Sequence, residues 1–338
     1  MQTAIESQRG ELMQAIMQEG YGSGDVLRPR TIPKPALADD RVLVRVRAAS
    51  VNAADYHLIH GELPIRLVAG SGLRKPKDPL CGSDVAGVVE AVGAKITSFK
   101  PGDEVFGSAR GSFAEYASAR EDRLVPKPRQ LTFEQAAALP IAATTALQGL
   151  RDIGRVRAGQ RVVVYGAGGG VGTFAVQIAK ALGAHVTAAT GPRNIEIVRS
   201  LGADEVVDYT QEDIRRRRHQ YDVFLDVAAN RSLLSCRRAV KLDGTFVVTG
   251  GSKSGGALGM FGRIGMAFVL SRLGRPRTAF FVAKLNREDF LVLAQLVEAG
   301  KLMPVIDRTY PLAEAAEAVR YALTGQARAK IVLTVAPR

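Results

Sequence analysis

A glycine-rich turn is the first place in this chain where residue types and spacing could do chemistry. Residues 161–190 read RVVVYGAGGGVGTFAVQIAKALGAHVTAAT. Residues 162–165 form a β-branched run typical of a strand buried on both faces of a parallel sheet, and apolar residues recur at helical spacing from Val171 to Leu182. With a second apolar run at residues 186–190, this is the strand, turn, helix and strand unit that holds a dinucleotide pyrophosphate at a helix N-terminus.

The glycines of this turn have separate tasks. Gly169 lets the backbone approach the pyrophosphate without an intervening Cβ, and Gly172 lets the helix pack closely on the strand. Ala167 stands at the first glycine of the usual G-x-G-x-x-G pattern, between Gly166 and Gly168. A flexible connection would also explain a glycine turn on its own, but the flanking strands and helix favour the cofactor interpretation.

The end of the second strand indicates which dinucleotide binds. An NAD site places Asp or Glu about 20 residues beyond the glycines, where it accepts hydrogen bonds from the ribose hydroxyls. Here Thr190 is followed by GPRN, and the first carboxylate is Glu196. A guanidinium binds a 2′-phosphate that a carboxylate would repel. The sequence therefore predicts NADPH held by Arg193; the alternative is that Arg193 is an ordinary surface charge.

Length and composition limit the class of protein. At 338 residues the chain fits two domains. Its net charge of +13 suggests nucleic acid or an anionic membrane as partners. The charge is scattered, however, and we interpret its one tight run, residues 215–218, as a solvated helix face. Two cysteines cannot build a disulfide framework, which indicates a reducing compartment. Without a signal-peptide pattern or an apolar run of about 20 residues, we expect a soluble or peripheral protein.

The order of the remaining patterns predicts two kinds of sheet. Short strands at 42–47, 85–93 and 104–107, separated by Gly/Pro turns, predict a barrel-like β domain over roughly the first 125 residues. From residue 131 a helical segment leads into alternating strands and helices, which is typical of a doubly wound parallel sheet in an α/β fold. There we predict helices over 194–201 and 232–240 and strands over 205–208, 222–226 and 245–249. Helices over 288–300 and 313–323 and a strand over 330–335 follow, and that strand should pair with the first domain.

Residues 255–283 are the least regular stretch, with apolar residues interspersed with four arginines. One interpretation is a basic, apolar surface for a lipophilic substrate, a partner subunit or a membrane. We favour a helix and a loop packed at the domain cleft or at a dimer interface.

Several motifs in the same order resemble the medium-chain dehydrogenase/reductase family, specifically its zinc-free quinone oxidoreductase branch. The resemblance runs from Met13 onward and is carried by SVNAADY, GSDVAGVVEAVG, KPGDEVFG, GSFAEYA, AAALPIAATTAL, YGAGGGVGTFAVQIAKALGA, LGADEVVDY and GQARAKIVL. The loop at 63–79 and the TGPRN segment resemble the subgroup of chloroplast-envelope quinone oxidoreductase-like and reticulon-interacting reductases. The resemblance implies a GroES-like β-barrel-type catalytic domain over 13–130 and 284–338, a Rossmann NADPH-binding domain over 131–283, and a homodimer.

The zinc-dependent alcohol dehydrogenases of this family hold zinc with Cys, His and Cys. The resemblance puts Asn52, Ser83 and Ile141 at those three positions. Amide, hydroxyl and aliphatic groups do not replace thiolate and imidazole, so we expect no metal and no alcohol oxidation. Hydride transfer from NADPH to a quinone or an α,β-unsaturated carbonyl is then the expected reaction, because such acceptors are already electron-poor.

The resemblance also assigns site residues. Asn52 is expected beside the nicotinamide, where its amide could donate to a developing oxyanion; capping of local backbone is the alternative. Tyr56 or His57 could relay a proton, but each could equally be structural, and water could serve instead. The expected cofactor contacts are Thr145, Gly169, Gly170, Val171, Gly172, Thr190, Arg193, Asn194, Tyr209, Thr249, Gly250, Phe281 and Lys330. Ala329 stands where relatives usually have glycine.

Two other functions stay open at this stage. An enoyl-thioester reductase would use the basic surface for a long CoA-type substrate. A non-catalytic NADPH-binding protein would use residues 255–283 on a membrane or on RNA, which we rank last because a charge surplus alone more often serves solubility. We expect a cytoplasmic protein that does not bind nucleic acid, with peripheral contact to a membrane left open.

Overall fold

The computed structural model describes residues 11–61, 66, 72, 74–249 and 256–336. Its strands are β1 (Leu12–Gln18), β2 (Leu27–Pro33), β3 (Arg41–Val51), β4 (Asp84–Val92), β5 (Glu104–Ser108), β6 (Tyr116–Arg120), β7 (Leu124–Pro126), β8 (Arg161–Tyr165), β9 (His185–Thr190), β10 (Glu205–Asp208), β11 (Tyr221–Asp226), β12 (Val240–Thr249), β13 (Arg277–Phe281), β14 (Ile306–Pro311) and β15 (Lys330–Thr334). Its helices are α1 (Ala53–His60), α2 (Phe133–Ala137), α3 (Pro140–Gln148), α4 (Gly170–Ala181), α5 (Ile195–Ser200), α6 (Leu233–Arg237), α7 (Gly256–Arg272), α8 (Arg287–Glu298) and α9 (Ala315–Leu323).

One sheet is parallel and has six strands in the order β10-β9-β8-β11-β12-β13. Its central strand β8 is buried along Val162–Tyr165, because helices cover both faces of a parallel sheet and leave no side for polar residues. The predicted strand, turn, helix and strand unit is confirmed as β8, α4 and β9. Within residues 255–283 the predicted helix is confirmed as α7. The predicted loop is wrong in part, because residues 277–281 form the edge strand β13, whose main chain pairs with β12.

The other large sheet has seven strands, with β14-β15-β3-β4-β5-β7 in order and β6 paired to β3. The last strand β15 lies antiparallel to β3, with Ile331 opposite Val51, so its predicted return to the first domain's sheet is confirmed. This pairing brings residues at the two ends of the chain together. A two-stranded sheet, β1 with β2, completes the β structure of the described residues.

The helical segment that begins near residue 131 is two helices. Thr132 and Gln135 form a capping box that starts α2, a reciprocal arrangement that satisfies two orphan amides. Pro140 then occupies the first turn of α3, where its missing amide hydrogen costs nothing. After the break, the first turn of α3 lies beside Asp84, the first residue of β4, whose carboxylate accepts the main-chain amide of Ile141.

Two further predictions are wrong in detail. The helix predicted over 232–240 ends at Arg237, because the chain from Val240 joins the sheet as β12. The run at 215–218 is not a helix face, because only its first two residues belong to a 3₁₀ turn, Ile214–Arg216. Arg217 forms ion pairs with Glu205 and Glu212.

Helix α7 is joined to the parallel sheet by a buried ion pair. Asp226, at the carboxyl end of β11, lies 2.5 Å from the Arg263 guanidinium. Among the residues that the structure describes, no helix is long and apolar enough to cross a membrane.

Candidate active site

The turn between β8 and α4 is shaped by close approaches that only glycine permits. A Cβ on Gly172 would lie 2.2 Å from the carbonyl oxygen of Gly166, and a Cβ on Gly168 would lie 2.5 Å from the Asn194 side chain. The first clash is with backbone, which cannot turn away as a flexible side chain can. The sequence-predicted role of Gly172 in close packing therefore has a direct structural basis.

The N-terminus of α4 suits an anionic ligand. The N-cap residue is Gly169, which offers no side-chain acceptor, so the first amides, at Gly170, Val171 and Gly172, point outward without an intrahelical partner. Beside the turn, the Asn194 Oδ1 atom is buried and has no hydrogen-bond partner among the described residues. The free main-chain amides and the positive end of the helix dipole fit the pyrophosphate of a dinucleotide. The unsatisfied Asn194 oxygen fits a ribose hydroxyl.

The carboxyl end of β9 gathers the residues expected around the adenosine phosphate. Thr190 is buried and pairs with Asp208 of β10, which brings Tyr209 to the same edge. A Cβ on Gly191 would lie 2.8 Å from the Tyr209 hydroxyl oxygen. Arg193 is exposed in the 3₁₀ turn after β9 and forms no ion pair within the described chain.

Two of the residues expected beside the nicotinamide are paired at the opposite edge of the sheet. Thr249 and Phe281 are neighbours in the β12–β13 register, and a Cβ on Gly149 would lie 3.3 Å from the Phe281 ring. Thr145, one turn before Gly149, donates its hydroxyl to the carbonyl of Ile141 at 2.7 Å. Gly250 lies outside the described residues.

Asn52 is the centre of a buried polar network. Its amide nitrogen donates to Asp84 Oδ2 at 2.8 Å and lies 3.3 Å from the Ser50 carbonyl oxygen. Its Oδ1 atom accepts from Lys330 Nζ at 2.6 Å. Each side of the amide is thus engaged by the protein, and a hydrogen bond from Asn52 to a substrate would have to replace the longer contact, the one to Ser50. The oxyanion role of Asn52 stays a prediction.

Asp84 ties this network to two other elements. It accepts from the Ser50 hydroxyl at 2.7 Å and from the main-chain amide of Ile141 at 3.1 Å, at the start of α3. Lys330 Nζ lies 3.9 Å from Asp84 Oδ2. Burial raises the pKa of Asp84 and lowers the pKa of Lys330, because a low-dielectric interior disfavours the charged form of each group. The opposite charge of the partner acts against both shifts.

Lys330 links the network to the cofactor turn. Its stem lies against the first turn of α4, where a Cβ on Gly170 would come within 3.1 Å of Lys330 Cδ. The preceding residue, Ala329, donates its amide to the Gly168 carbonyl at 3.0 Å. Lys330, which is expected to reach the cofactor, therefore lies between Asn52 and the turn that joins β8 to α4.

Asp55, Tyr56 and His57 lie on α1 directly after Asn52. Asp55 is buried and accepts the Asn52 main-chain amide at 2.7 Å. Tyr56 packs into the apolar cluster with Ile16 and Phe113, and burial raises its pKa to about 12. Its ring centroid lies 4.7 Å from that of the half-buried His57. The proton-relay role of Tyr56 and His57 stays a prediction.

Sequence reasoning missed Asp84 and Ser50. One signal was present: Asp84 begins an otherwise apolar strand, DVAGVVEAV, and a carboxylate in such a position needs buried partners. The partners of Asp84 come from three distant parts of the chain, namely β3, the start of α3 and β15, and they meet only in the folded protein.

Comparisons with known proteins show the family of the chain. Two family profiles match, Alcohol dehydrogenase GroES-like domain over residues 38–129 and Zinc-binding dehydrogenase over residues 201–333. The protein named NAD(P)H oxidoreductase RTN4IP1, mitochondrial, of Mus musculus is 34% identical over 97% of this chain and 91% of its own length. The chain belongs to the medium-chain dehydrogenase/reductase family. It is an oxidoreductase with a nicotinamide cofactor and a small-molecule substrate.

Two further members of the medium-chain dehydrogenase/reductase family bear on the reaction. The NADPH-dependent alkenal/one oxidoreductase, chloroplastic, of Arabidopsis thaliana is 34% identical over 96% of this chain and 80% of its own length. The solved structure of the quinone oxidoreductase from Coxiella burnetii has a TM-score of 0.84 at 29% identity, covering 96% of this chain and all of that one (100%).

The zinc implied by one profile name does not fit the residues present. Asn52, Ser83 and Ile141 stand at the ligand positions that the sequence analysis assigned, and the Asn52 oxygen already receives an ammonium at 2.6 Å. A dication there would be repelled by Lys330 at close range. Within the described ranges, no group of three His, Cys, Asp or Glu residues could hold a metal ion.

Proposed function

We propose that the protein transfers a hydride from NADPH to a quinone or an α,β-unsaturated carbonyl. The observation that carries the proposal is the Lys330–Asn52 contact of 2.6 Å, which places an ammonium where zinc-dependent relatives need a free ligand. Relatives named quinone oxidoreductase and alkenal/one oxidoreductase support the same acceptor classes.

NADPH supplies the hydride when it is bound, and the chain binds and orients it. The α4 amides would hold the pyrophosphate, and Thr145, Thr249 and Phe281 would flank the nicotinamide. Placing the ring against the acceptor and excluding water is the main contribution a protein makes to hydride transfer. The substrate lies, in this proposal, on the Asn52 side of the nicotinamide.

NADPH in preference to NADH is inferred from the edge beyond β9. Arg193 is exposed and unpaired in the described chain, and the nearest carboxylate along the chain, Glu196, is held by Arg199. A guanidinium donating to a phosphate is worth ~1.5–3 kcal/mol. This corresponds to about 10–100-fold in affinity at 1.4 kcal/mol per factor of ten.

The test is NADPH and NADH oxidation at 340 nm with 1,4-benzoquinone and an alkenal. Arg193→Gln should raise the KM for NADPH about 10–100-fold, by the same hydrogen-bond energy, and leave that for NADH unchanged. Arg129→Gln, at an exposed arginine in the loop after β7, is the matched control and should change neither. Equal loss with both cofactors would contradict the phosphate contact, and no turnover with either acceptor despite NADPH binding would contradict the function.

A further inference from the structure

A cavity of about 300 Å³ opens beside α1, and Asp55 borders it. Leu58 and Ile59 of the same helix line it, together with Cys81 and Ser83. Ser83 stands at the position where zinc-dependent relatives carry histidine. Ser83 and the buried Asp55 border the same cavity.

The buried network around Asn52 contains two carboxyls and one ammonium. Asp84 receives hydrogen bonds from Ser50, Asn52 and the Ile141 amide and is paired with Lys330. Asp55 accepts the Asn52 main-chain amide at 2.7 Å. If both carboxyls were ionised, the interior would hold an uncompensated negative charge, which is costly. The network is neutral when Asp55 keeps its proton, because the donors favour the charged form of Asp84.

We propose that the Asp55 carboxyl donates the proton that completes reduction of an enone, within the cavity beside α1. This inference rests on the proposed function and adds the residue that function leaves unnamed. Burial and the charge of Asp84 raise the pKa of Asp55 to about 7, near the value a general acid needs at neutral pH.

The reaction balances as follows. The β-carbon of the enone receives a hydride and its electron pair from NADPH, which leaves NADP⁺ and an enolate. The enolate α-carbon then forms a C–H bond with the Asp55 proton as the carboxyl O–H bond breaks. The carboxylate recovers a proton from water in the cavity. A quinone does not need this acid, because the oxygen of its reduced anion takes a proton from water.

Other charged groups face the same carboxyl. Asp84 and Lys330 lie in the network, and the neighbouring residues on α1 are Tyr56 and His57. The titratable and charged side chains around the cavity are Tyr21, Lys77, Asp78, Cys81 and Arg110. Burial raises the pKa of the Cys81 thiol to about 12, so this thiol stays neutral across the range of the test.

The test compares Asp55→Asn with wild type on an α-methyl alkenal and on 1,4-benzoquinone. Asn keeps an acceptor for the Asn52 amide but supplies no acid. The alkenal kcat should fall about 100-fold, a typical contribution of general acid catalysis, while the quinone kcat changes less than about threefold. Asp289→Asn is the matched control, a buried carboxylate bonded to Gln148 and Arg151, and it should leave the ratio of the two rates unchanged.

Two readouts distinguish a proton donor from a structural residue. In D₂O the wild type should place deuterium on one face of the α-carbon, and Asp55→Asn should lose that selectivity. The wild-type alkenal rate should fall above about pH 7 while the quinone rate does not, which decides the question even if the variant does not fold. Retained facial selectivity in Asp55→Asn, equal losses on both substrates, or a flat wild-type alkenal profile would overturn the proposal. If wild type reduces neither acceptor, the proposed function itself fails, and this is seen before any variant is made.

Discussion

Removing the Lys330 ammonium should leave a buried carboxylate without its charge partner. Lys330 and Asp84 are 3% and 0% exposed, and their charged atoms lie 3.9 Å apart. At an effective dielectric constant of about 20, two unit charges at that distance interact by roughly 4 kcal/mol. Breaking a buried pair by deleting one partner costs about 3–5 kcal/mol. We therefore expect Lys330→Met to lower the free energy of unfolding by about 3–5 kcal/mol at pH 8.

The pH dependence follows mainly from Asp84, the carboxyl that is paired with Lys330. Without Lys330, the folded-state pKa of Asp84 lies still further above its unfolded value. Stability is then retained at low pH, where Asp84 is protonated in both states, and is lost as the pH rises through the folded-state pKa. The deficit of Lys330→Met should therefore be smallest near pH 4 and largest near pH 8. Asp84→Asn should weaken this trend and leave only the part that comes from Asp55, whose pKa Lys330 also lowers.

The assay is urea unfolding followed by far-UV circular dichroism, because the chain has no tryptophan. The control is Lys180→Met. Lys180 lies only 2.8 Å from Asp204, but the two side chains are 34% and 30% exposed, so its loss should cost at most about 1 kcal/mol. The Asp84→Asn/Lys330→Met double variant should lose at least about 2 kcal/mol less than the sum of the single variants. Additivity within about 0.5 kcal/mol, or equal costs for Lys180 and Lys330, would refute the reasoning.

Two further predictions concern the cofactor turn. Gly172→Ala forces a Cβ to 2.2 Å from a backbone oxygen and should abolish NADPH binding in a fluorescence titration. Gly262→Ala is the control and should leave binding intact, because its Cβ meets nothing within 4 Å. Tight binding by Gly172→Ala would contradict the packing argument. Ala329 has a φ of +84°, so Ala329→Gly should raise the free energy of unfolding by ~0.5–1 kcal/mol. This is measured as a higher urea midpoint at constant m value. A lower midpoint would show that Ala329 is not strained.

The parts of the fold that depend on local patterns could be predicted from the sequence. The unit from β8 to β9 follows from β-branched residues, a glycine turn and helical spacing within thirty residues, all of which act over short range. The strand β13 could not be recognised in the same way, because its pairing with β12 and not its composition makes it a strand. The Asn52 network depends on antiparallel pairing of β3 with β4 and with β15, so the contact of Asp84 with Lys330 has no local signal.

The position of β15 has a consequence for synthesis of the chain. This strand lies between β14 and β3, and Lys330 comes 279 residues after Val51, whose carbonyl it contacts. At a translation rate of about 5–20 residues per second, that interval takes roughly 15–60 s. Until β15 leaves the ribosome, one edge of β3 stays unpaired, and such an edge can pair with other chains. A nascent chain that stalls before β15 emerges would therefore be a target for chaperones although β3 was made long before.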